Sequence, residues 1–357
     1  MLYEFFEKVY ALEKQGKGII KLNVGEPDWK PSKQAVRTAN EALRNGKTNY
    51  GSAAGEMQLR EKLAELHGCK PSNIVITPGS KFGIHTLLML SLSKGDSITF
   101  FSPHWTAYEL MCKSLGAELR IVKLSLEDKW KADVSKIDIS ERTKFIILNS
   151  PCNPTSQAME EKEEKELIES ARKKGVHVIA DDAYRDLCFD GRKERQLEEG
   201  LIIANSFSKT FGMTGWRIGY MVAPEEIAKR LISHIQITVT NVPVFLQLGA
   251  ARALEDKKKI ADKVRRVCRR RAGIAIKTIG DLTAIAKPNA GFYIFPKLLG
   301  KMDGLQFANL LLEQGVAIAP GAAFGDFQQH VRISLCAEEK KLALALGVIR
   351  NMLSKAE

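Results

Sequence analysis

The chain has six cysteines in 357 residues and no CxxC pair among them. Cys69, Cys112, Cys152, Cys188, Cys268 and Cys336 are scattered, which argues against a disulfide framework and a thiolate metal site; they read as reduced core residues of a cytosolic protein. Long apolar runs are missing as well. No stretch approaches the roughly 18 residues of a membrane span. The opening "MLYEFFEKVYALEKQ" carries Glu4, Glu7 and Lys8 among its apolar positions, which excludes the hydrophobic region of a signal peptide. Internal repeats, low-complexity tracts and Pro/Gly-rich linkers are absent, so nothing marks a sharp domain border. A local absence is more pointed: "SFSKTFGMTGWRIGY", Ser206 to Tyr220, contains no acidic residue in a chain of which 27% is charged.

What is present is the composition of an ordinary globular protein, 45% hydrophobic and long enough for two domains. The net charge of +12 raises the question of nucleic acid. The excess is diffuse, however. Its densest part, "DKKKIADKVRRVCRRRAG" from Asp256 to Gly273, has Ile260, Val264 and Val267 at helical spacing. That pattern predicts a helix with one buried face and one solvated basic face, so neither a nucleic-acid nor a membrane partner is expected.

Short β-branched runs recur along the chain: "NIVIT" (Asn73 to Thr77), "SITFF" (Ser97 to Phe101), "AELRIVKL" (Ala117 to Leu124), "KFIILN" (Lys144 to Asn149), "VHVIA" (Val176 to Ala180), "LIIAN" (Leu201 to Asn205) and "RIGYMVA" (Arg217 to Ala223). Segments of helical period, such as Met159 to Lys174, lie between several of them. The alternation predicts an α/β fold with a mainly parallel sheet covered on both faces. After Gly280 the texture changes to "AIAKPNAGFYIF", "VAIAPG" and "HVRISL", strands separated by helical stretches, with a closing helix in "AEEKKLALALGVIRNMLSK". This predicts a second, smaller domain, joined by the strand and turn of "KGIIKLNVGEPDW".

Ligands of such sheets bind at the strand ends, where several polar motifs fall. "ITPGSK" follows a strand and opens a helix, so the backbone N–H groups of Gly79, Ser80 and Lys81 would face a bound anion. "NSPCNPTS" brings Asn153 and "VIADDAY" brings Asp181, Asp182 and Tyr184. Singly, each is ordinary loop chemistry. Together with "SFSK" they gather an amine, a carboxylate, a phenol, an amide and an anion cradle at one sheet edge. Pyridoxal phosphate needs a lysine for a Schiff base, a carboxylate for its pyridinium nitrogen and a phosphate site.

These motifs, in this order, resemble fold-type I pyridoxal-phosphate enzymes, and most closely the class I aminotransferases of the prokaryotic aspartate aminotransferase subgroup. The resemblance runs from "VGEPDW" to "VRISL". It implies a large domain, 32–262, with a mainly parallel seven-stranded sheet, and a small α/β domain from both termini, 1–31 and 263–357. It further implies Lys209 as the Schiff-base lysine and proton carrier, Asp181 as the partner of the ring nitrogen, and Tyr184 with Asn153 at the ring's phenolate oxygen. Ser206, Ser208 and Arg217, with the backbone at Gly79 and Ser80, match the family's phosphate contacts. A dianionic phosphate there explains the missing acidic residues. Trp105 in "SPHWTAYEL" resembles the aromatic that stacks on the ring. Arg332 in "VRISL" should grip the substrate α-carboxylate, assisted by the backbone at Gly25. Tyr50 matches a tyrosine that reaches the neighbouring subunit's phosphate, which implies a homodimer. Lys81 stands where the subgroup places a lysine near the substrate's distal carboxylate; the alternative is that it merely opens a helix and faces solvent or the phosphate.

The implied activity is transfer of an amino group from an L-amino acid, aspartate or glutamate above all and possibly aromatic, to a 2-oxo acid such as 2-oxoglutarate in the cytoplasm. No metal is expected. A β-lyase of the same fold and an amino-acid-sensing domain are the alternatives; the latter lacks an N-terminal DNA-binding module. Ser156 stands where the family usually has glycine and Asp182 where glutamate is commoner, and neither is read as touching the chemistry. A segment that often precedes this N-terminus and helps close the pocket is missing, which bears on specificity.

Overall fold

The computed structural model describes residues 2–355. Seven strands build its main sheet: β1 (Ile74–Thr77), β2 (Ser97–Ser102), β3 (Glu118–Lys123), β4 (Thr143–Asn149), β5 (His177–Asp181), β6 (Leu201–Ser206) and β7 (Gly219–Val222). They lie in the order β1-β7-β6-β5-β4-β2-β3. All neighbours are parallel except β7, which runs antiparallel to both β1 and β6. The exception has a local cause. Residues 207–218 contain only a short 3-10 turn, too little for a helical crossover, so the chain returns antiparallel.

Burial follows from this order. Every residue of β6 and β7 is buried, and in β5 only His177 is not, whereas β3 at the sheet edge has no buried residue. Helices Ser80–Ser91, Ala107–Ser114 and Glu161–Lys173 cover the sheet after β1, β2 and β4. The last begins on a capping box between Glu160 and Glu163 and ends on Arg172 and Lys173, matching the helix dipole at both ends. Fully buried Ile146, Val178, Ile179 and Ile203 each contribute roughly 1.5–3 kcal/mol of apolar burial.

A second core joins the two ends of the chain. Phe5 and Val9 of helix Leu2–Lys14 and Leu22 pack with Phe307, Leu311, Ile333, Leu346 and Ile349. This is the smaller α/β domain. Its strands are shorter than the sequence texture predicts: Tyr293–Ile294 and Ala319–Pro320 flank Val331–Ser334, and Ile20–Lys21 pairs in parallel with Val316–Ala317. Pro296, which cannot donate a hydrogen bond, separates Tyr293–Ile294 from the next strand, Lys297–Leu298.

The basic helix runs Lys257–Ile279, but its buried stripe is Ala261, Val264, Cys268, Ala272, Ala275 and Ile279, rotated from the expected Ile260–Val264–Val267 row. Small residues let this face approach the core closely. Nor is the basic face wholly solvated: Arg271 is buried and makes a two-pronged ion pair with Asp28 at 2.7 Å, and Lys257 pairs with Asp186 and Glu194. Among the described residues no helix is long and apolar enough to cross a membrane.

Candidate active site

Parallel register sets the carboxyl ends of three central strands side by side, with Asn149 of β4 opposite Asp181 of β5 and Asp181 opposite Ala204 of β6. Lys209 follows three residues after β6. Its backbone carbonyl accepts a hydrogen bond from Trp29 Nε1 at 2.9 Å, and its Nζ donates to the Gly25 carbonyl at 2.8 Å. No carboxylate pairs with this amine among the described residues, and burial pulls its pKa down to about 8. A substantial neutral fraction near pH 8 makes the amine a competent nucleophile.

Asp181 accepts from the Tyr108 hydroxyl at 2.5 Å and from the Ala183 N–H at 3.3 Å. Burial pushes its carboxyl up to about 6, against the pull of Tyr108. Tyr108 is a site residue the sequence reading missed. It lies three positions after Trp105, its N–H bonds the Trp105 carbonyl at 3.1 Å where helix Ala107–Ser114 opens, and it meets the Trp105 ring edge to face at 5.4 Å. Lys81 Nζ lies 4.8 Å from the centre of the Trp105 ring. The Lys81 side chain lines the cleft at its exposed mouth, and partial burial together with Arg217 lowers its pKa.

The anion cradle is built from backbone. Gly79 has φ +83° and caps helix Ser80–Ser91; a Cβ on it would lie 2.6 Å from Arg217 Nη2. Arg217 donates to the carbonyls of Thr214 at 2.8 Å and Pro78 at 3.3 Å, and no carboxylate pairs with it among the described residues. Ser206 Oγ donates to Ser208 Oγ at 2.8 Å and accepts from the Ser208 N–H at 3.0 Å. Two hydroxyls, a guanidinium and a helix N-terminus thus converge without a negative charge.

Arg332 forms the opposite wall. It is buried, donates to Asn153 Oδ1 at 2.8 Å and the Asn23 carbonyl at 2.5 Å, and its Nε has no partner. Its guanidinium lies 4.6 Å from the ring centres of both Tyr293 and Phe324. Burial lowers its pKa, as expected for a cation without a counter-ion. Arg332 thus engages the carbonyl of Asn23, whereas the Gly25 carbonyl holds Lys209. Gly25 must be bare, since a Cβ there would fall 1.6 Å from the Tyr293 hydroxyl. That hydroxyl is 3.1 Å from the Tyr184 hydroxyl, and burial drives both phenols above their usual pKa. Tyr293 was also missed, hidden in the uniformly apolar "GFYIF".

These groups line one cleft of about 550 Å³, closed on one side by Phe6 of the N-terminal helix. A larger cavity of about 670 Å³ lies beyond Tyr108 but contains none of Lys209, Arg217 or Arg332. Tyr50 is not in the cleft of its own chain; its side chain is 87% exposed. Among the described residues no cluster of His, Cys, Asp and Glu is suited to a metal.

A buried amine and a buried carboxylate, each without an ion-pair partner among the described residues, plus a cation-lined helix N-terminus fit pyridoxal phosphate in charge and in kind. A family model described as aminotransferase class I and II matches residues 17–349. The chain belongs to the class I and II aminotransferases. It is a pyridoxal-phosphate-dependent enzyme with the family's fold. The aspartate aminotransferase of Thermococcus kodakarensis is 34% identical over 356 residues, spanning 99% of this chain and 93% of its own. The (5-formylfuran-3-yl)methyl phosphate transaminase of Methanocaldococcus jannaschii is 32% identical over 360 residues, spanning 96% of this chain and 94% of its own. Among solved structures, the aspartate aminotransferase of Thermus thermophilus with maleate superposes with a TM-score of 0.91 at 28% identity, covering 98% of this chain and 96% of that one.

Proposed function

We propose that this aminotransferase works on dicarboxylic amino acids and 2-oxo acids, with Lys209, Asp181 and Tyr184 as its catalytic residues. The observation that carries the reading is that, beyond Lys209 and the phosphate-site Arg217, two more cations of the cleft have no carboxylate partner among the described residues, Arg332 at depth and Lys81 at the mouth. In this reading Arg332 takes the α-carboxylate in a bidentate fork, and Lys81 takes the distal one.

Arg217, Ser206, Ser208 and the N-terminus of helix Ser80–Ser91 would hold the cofactor phosphate, Trp105 would cover its ring, and Asn153 with Tyr184 would bind its phenolate oxygen. Asp181, ionised, would keep the ring nitrogen protonated. When bound, the cofactor supplies a carbonyl that condenses with amines and a ring that accepts the electron pair left at the substrate Cα. Lys209, displaced by the incoming amine, takes the Cα proton on Nζ, which is neutral near its lowered pKa of about 8. Its bond to the Gly25 carbonyl supports an orientation toward the cleft.

A homodimer is part of the proposal. Tyr50, Ile237 and Val239 are exposed apolar side chains, and the Gly51 N–H bonds Asn241 Oδ1 at 3.2 Å, tying the Tyr50 loop to that segment. Tyr50 then has an adjacent subunit's phosphate site to serve. Sedimentation at the 39.7 kDa of a single chain would remove this part. Six free cysteines accord with a cytoplasmic setting.

The test is a single half-reaction without acceptor. Loaded enzyme mixed with aspartate or glutamate should release one equivalent of the matching 2-oxo acid and no ammonia. A parallel reaction with β-chloroalanine, which carries a leaving group on Cβ, should likewise give no ammonia; pyruvate with ammonia and chloride from it would indicate an eliminating enzyme instead. Lys81→Ala should lower kcat/KM for aspartate by about tenfold, a modest figure because Lys81 is exposed, and leave aromatic substrates nearly unchanged. Equal loss for all substrates would return Lys81 to a phosphate or helix-end role.

A further inference from the structure

We propose that Ser156 is a positioning residue: across the junction of the two domains it fixes Tyr293, and through Tyr293 the wall of the cleft that receives the substrate carboxylate. The inference rests on the role proposed for Arg332 and deepens it.

Ser156 has φ 54°, a left-handed conformation that disfavours any residue with a Cβ. The family it resembles usually places glycine here, which would adopt this backbone freely. The serine is nevertheless 1% exposed, and its Oγ, carbonyl and N–H are all hydrogen-bonded. Its Oγ accepts the Tyr293 N–H at 2.9 Å, its carbonyl accepts the Ala290 N–H at 3.2 Å, and its own N–H donates to the Cys152 carbonyl at 2.8 Å. Gly291 opposite is bare, and a Cβ there would fall 2.6 Å from Ser156 Oγ. The hydroxyl therefore occupies a space left open for it.

Tyr293 is the residue through which this bond reaches the site. Its hydroxyl meets that of Tyr184 at 3.1 Å and its ring lies 4.6 Å from the Arg332 guanidinium. A shift of its backbone would move both contacts. The domains would not separate, because other bonds cross the same junction: Ala158 N–H to Asn289 Oδ1 at 2.7 Å, Asn289 Nδ2 to the Ala158 carbonyl at 3.2 Å, and Gln157 Nε2 to the Lys287 carbonyl at 2.8 Å. Of these bonds from residues 156–158, that of Ser156 ends on a residue of the cleft itself. Losing its hydroxyl should therefore weaken substrate binding without loosening the fold.

Ser156→Gly removes the hydroxyl while keeping the backbone conformation. Maleate, an unreactive dicarboxylate, is titrated into the cofactor-loaded enzyme and followed by the cofactor's absorbance. The expected result is a maleate dissociation constant raised about three- to tenfold, the worth of a buried neutral hydrogen bond, with cofactor affinity unchanged. KM for substrate should rise in step while kcat moves less. Ser156→Ala retains the strained Cβ and should show the same loss of maleate affinity plus a lower Tm. Unchanged maleate binding in both variants overturns the proposal, as does an equal loss of maleate and cofactor affinity, which would mean general loosening. Failure of the wild-type enzyme to bind maleate would instead overturn the carboxylate-binding reading beneath it.

Discussion

Asp181 and Asp182 are neighbours at the end of one strand, 4% and 1% exposed, and they belong to opposite halves of the protein's chemistry. Asp181 faces the cleft, bound by a phenol and an amide but by no cation. Asp182 faces inward and accepts from Arg195 Nε at 2.9 Å. Arg195 also pairs with Glu164 at 2.9 Å, and Glu164 in turn meets Arg185, Arg192 and the Ser150 hydroxyl. Burial pushes the Glu164 carboxyl up, but the arginines outweigh it and hold the pKa below the usual range. For Asp182 burial wins over Arg195, and its Oδ2 has no partner. The lesson concerns where counter-ions come from. Asp182 and Glu164 draw their counter-ions from the chain, whereas Lys209, Asp181, Arg217 and Arg332 have no ion-pair partner among the described residues. Such groups cost stability, and they persist where a ligand completes them.

Substitutions at these two aspartates should therefore fail in different ways. Asp181→Ala is expected to lower kcat at least about a hundredfold with a folded protein remaining. Asp182→Ala should instead cost about 3 kcal/mol in urea unfolding, near the low end for a broken buried pair because Arg195 keeps Glu164. Its folded fraction should retain kcat within a few fold. Equal kcat losses at the two positions would erase the distinction.

The cofactor-free protein sharpens the comparison. A carboxyl raised from 3.8 to about 6 binds its proton more readily folded than unfolded. Its contribution to stability is thus full below about pH 4 and lost as pH rises through about 6. Asp181→Asn, whose amide oxygen keeps the Ala183 N–H bond while its NH2 turns toward the Tyr108 hydroxyl oxygen, should stabilise the cofactor-free protein at pH 7 by up to about 3 kcal/mol, and by nothing below pH 4. A destabilised variant at pH 7 would show that the charge is satisfied within the chain after all. The smallest effect expected is that of Tyr108→Phe. Without the phenol Asp181 should rise further, moving the acid limb of the kcat/KM profile upward by less than about one pH unit. An unmoved limb would reduce Tyr108 to packing against Trp105.

The strands were legible because β-branched runs alternate with helical periods, and the cleft was legible because polar motifs fall at the carboxyl ends of those strands. The order of events in "SFSKTFGMTGWRIGY", a lysine and an arginine flanked by hydroxyls without an acid, corresponds to real local geometry around Gly79 and Arg217. Long-range aromatic contacts were not legible. Tyr293 reaches Tyr184 over 109 residues of sequence and Ser156 bonds Tyr293 over 137, and no local pattern encodes either. Tyr108 had a signal, its i+3 spacing from Trp105, that was passed over. The basic helix misled because alanines and a cysteine join Val264 and Ile279 in the buried stripe, in place of Ile260 and Val267.

Lys209 is the residue on which the functional reading depends. The cofactor-loaded protein, reduced with borohydride, digested and mapped by mass spectrometry, should carry the reduced pyridoxyl group on the peptide containing Lys209 and on no other. A label on Lys81, on any other lysine, or on several at comparable yield would contradict it.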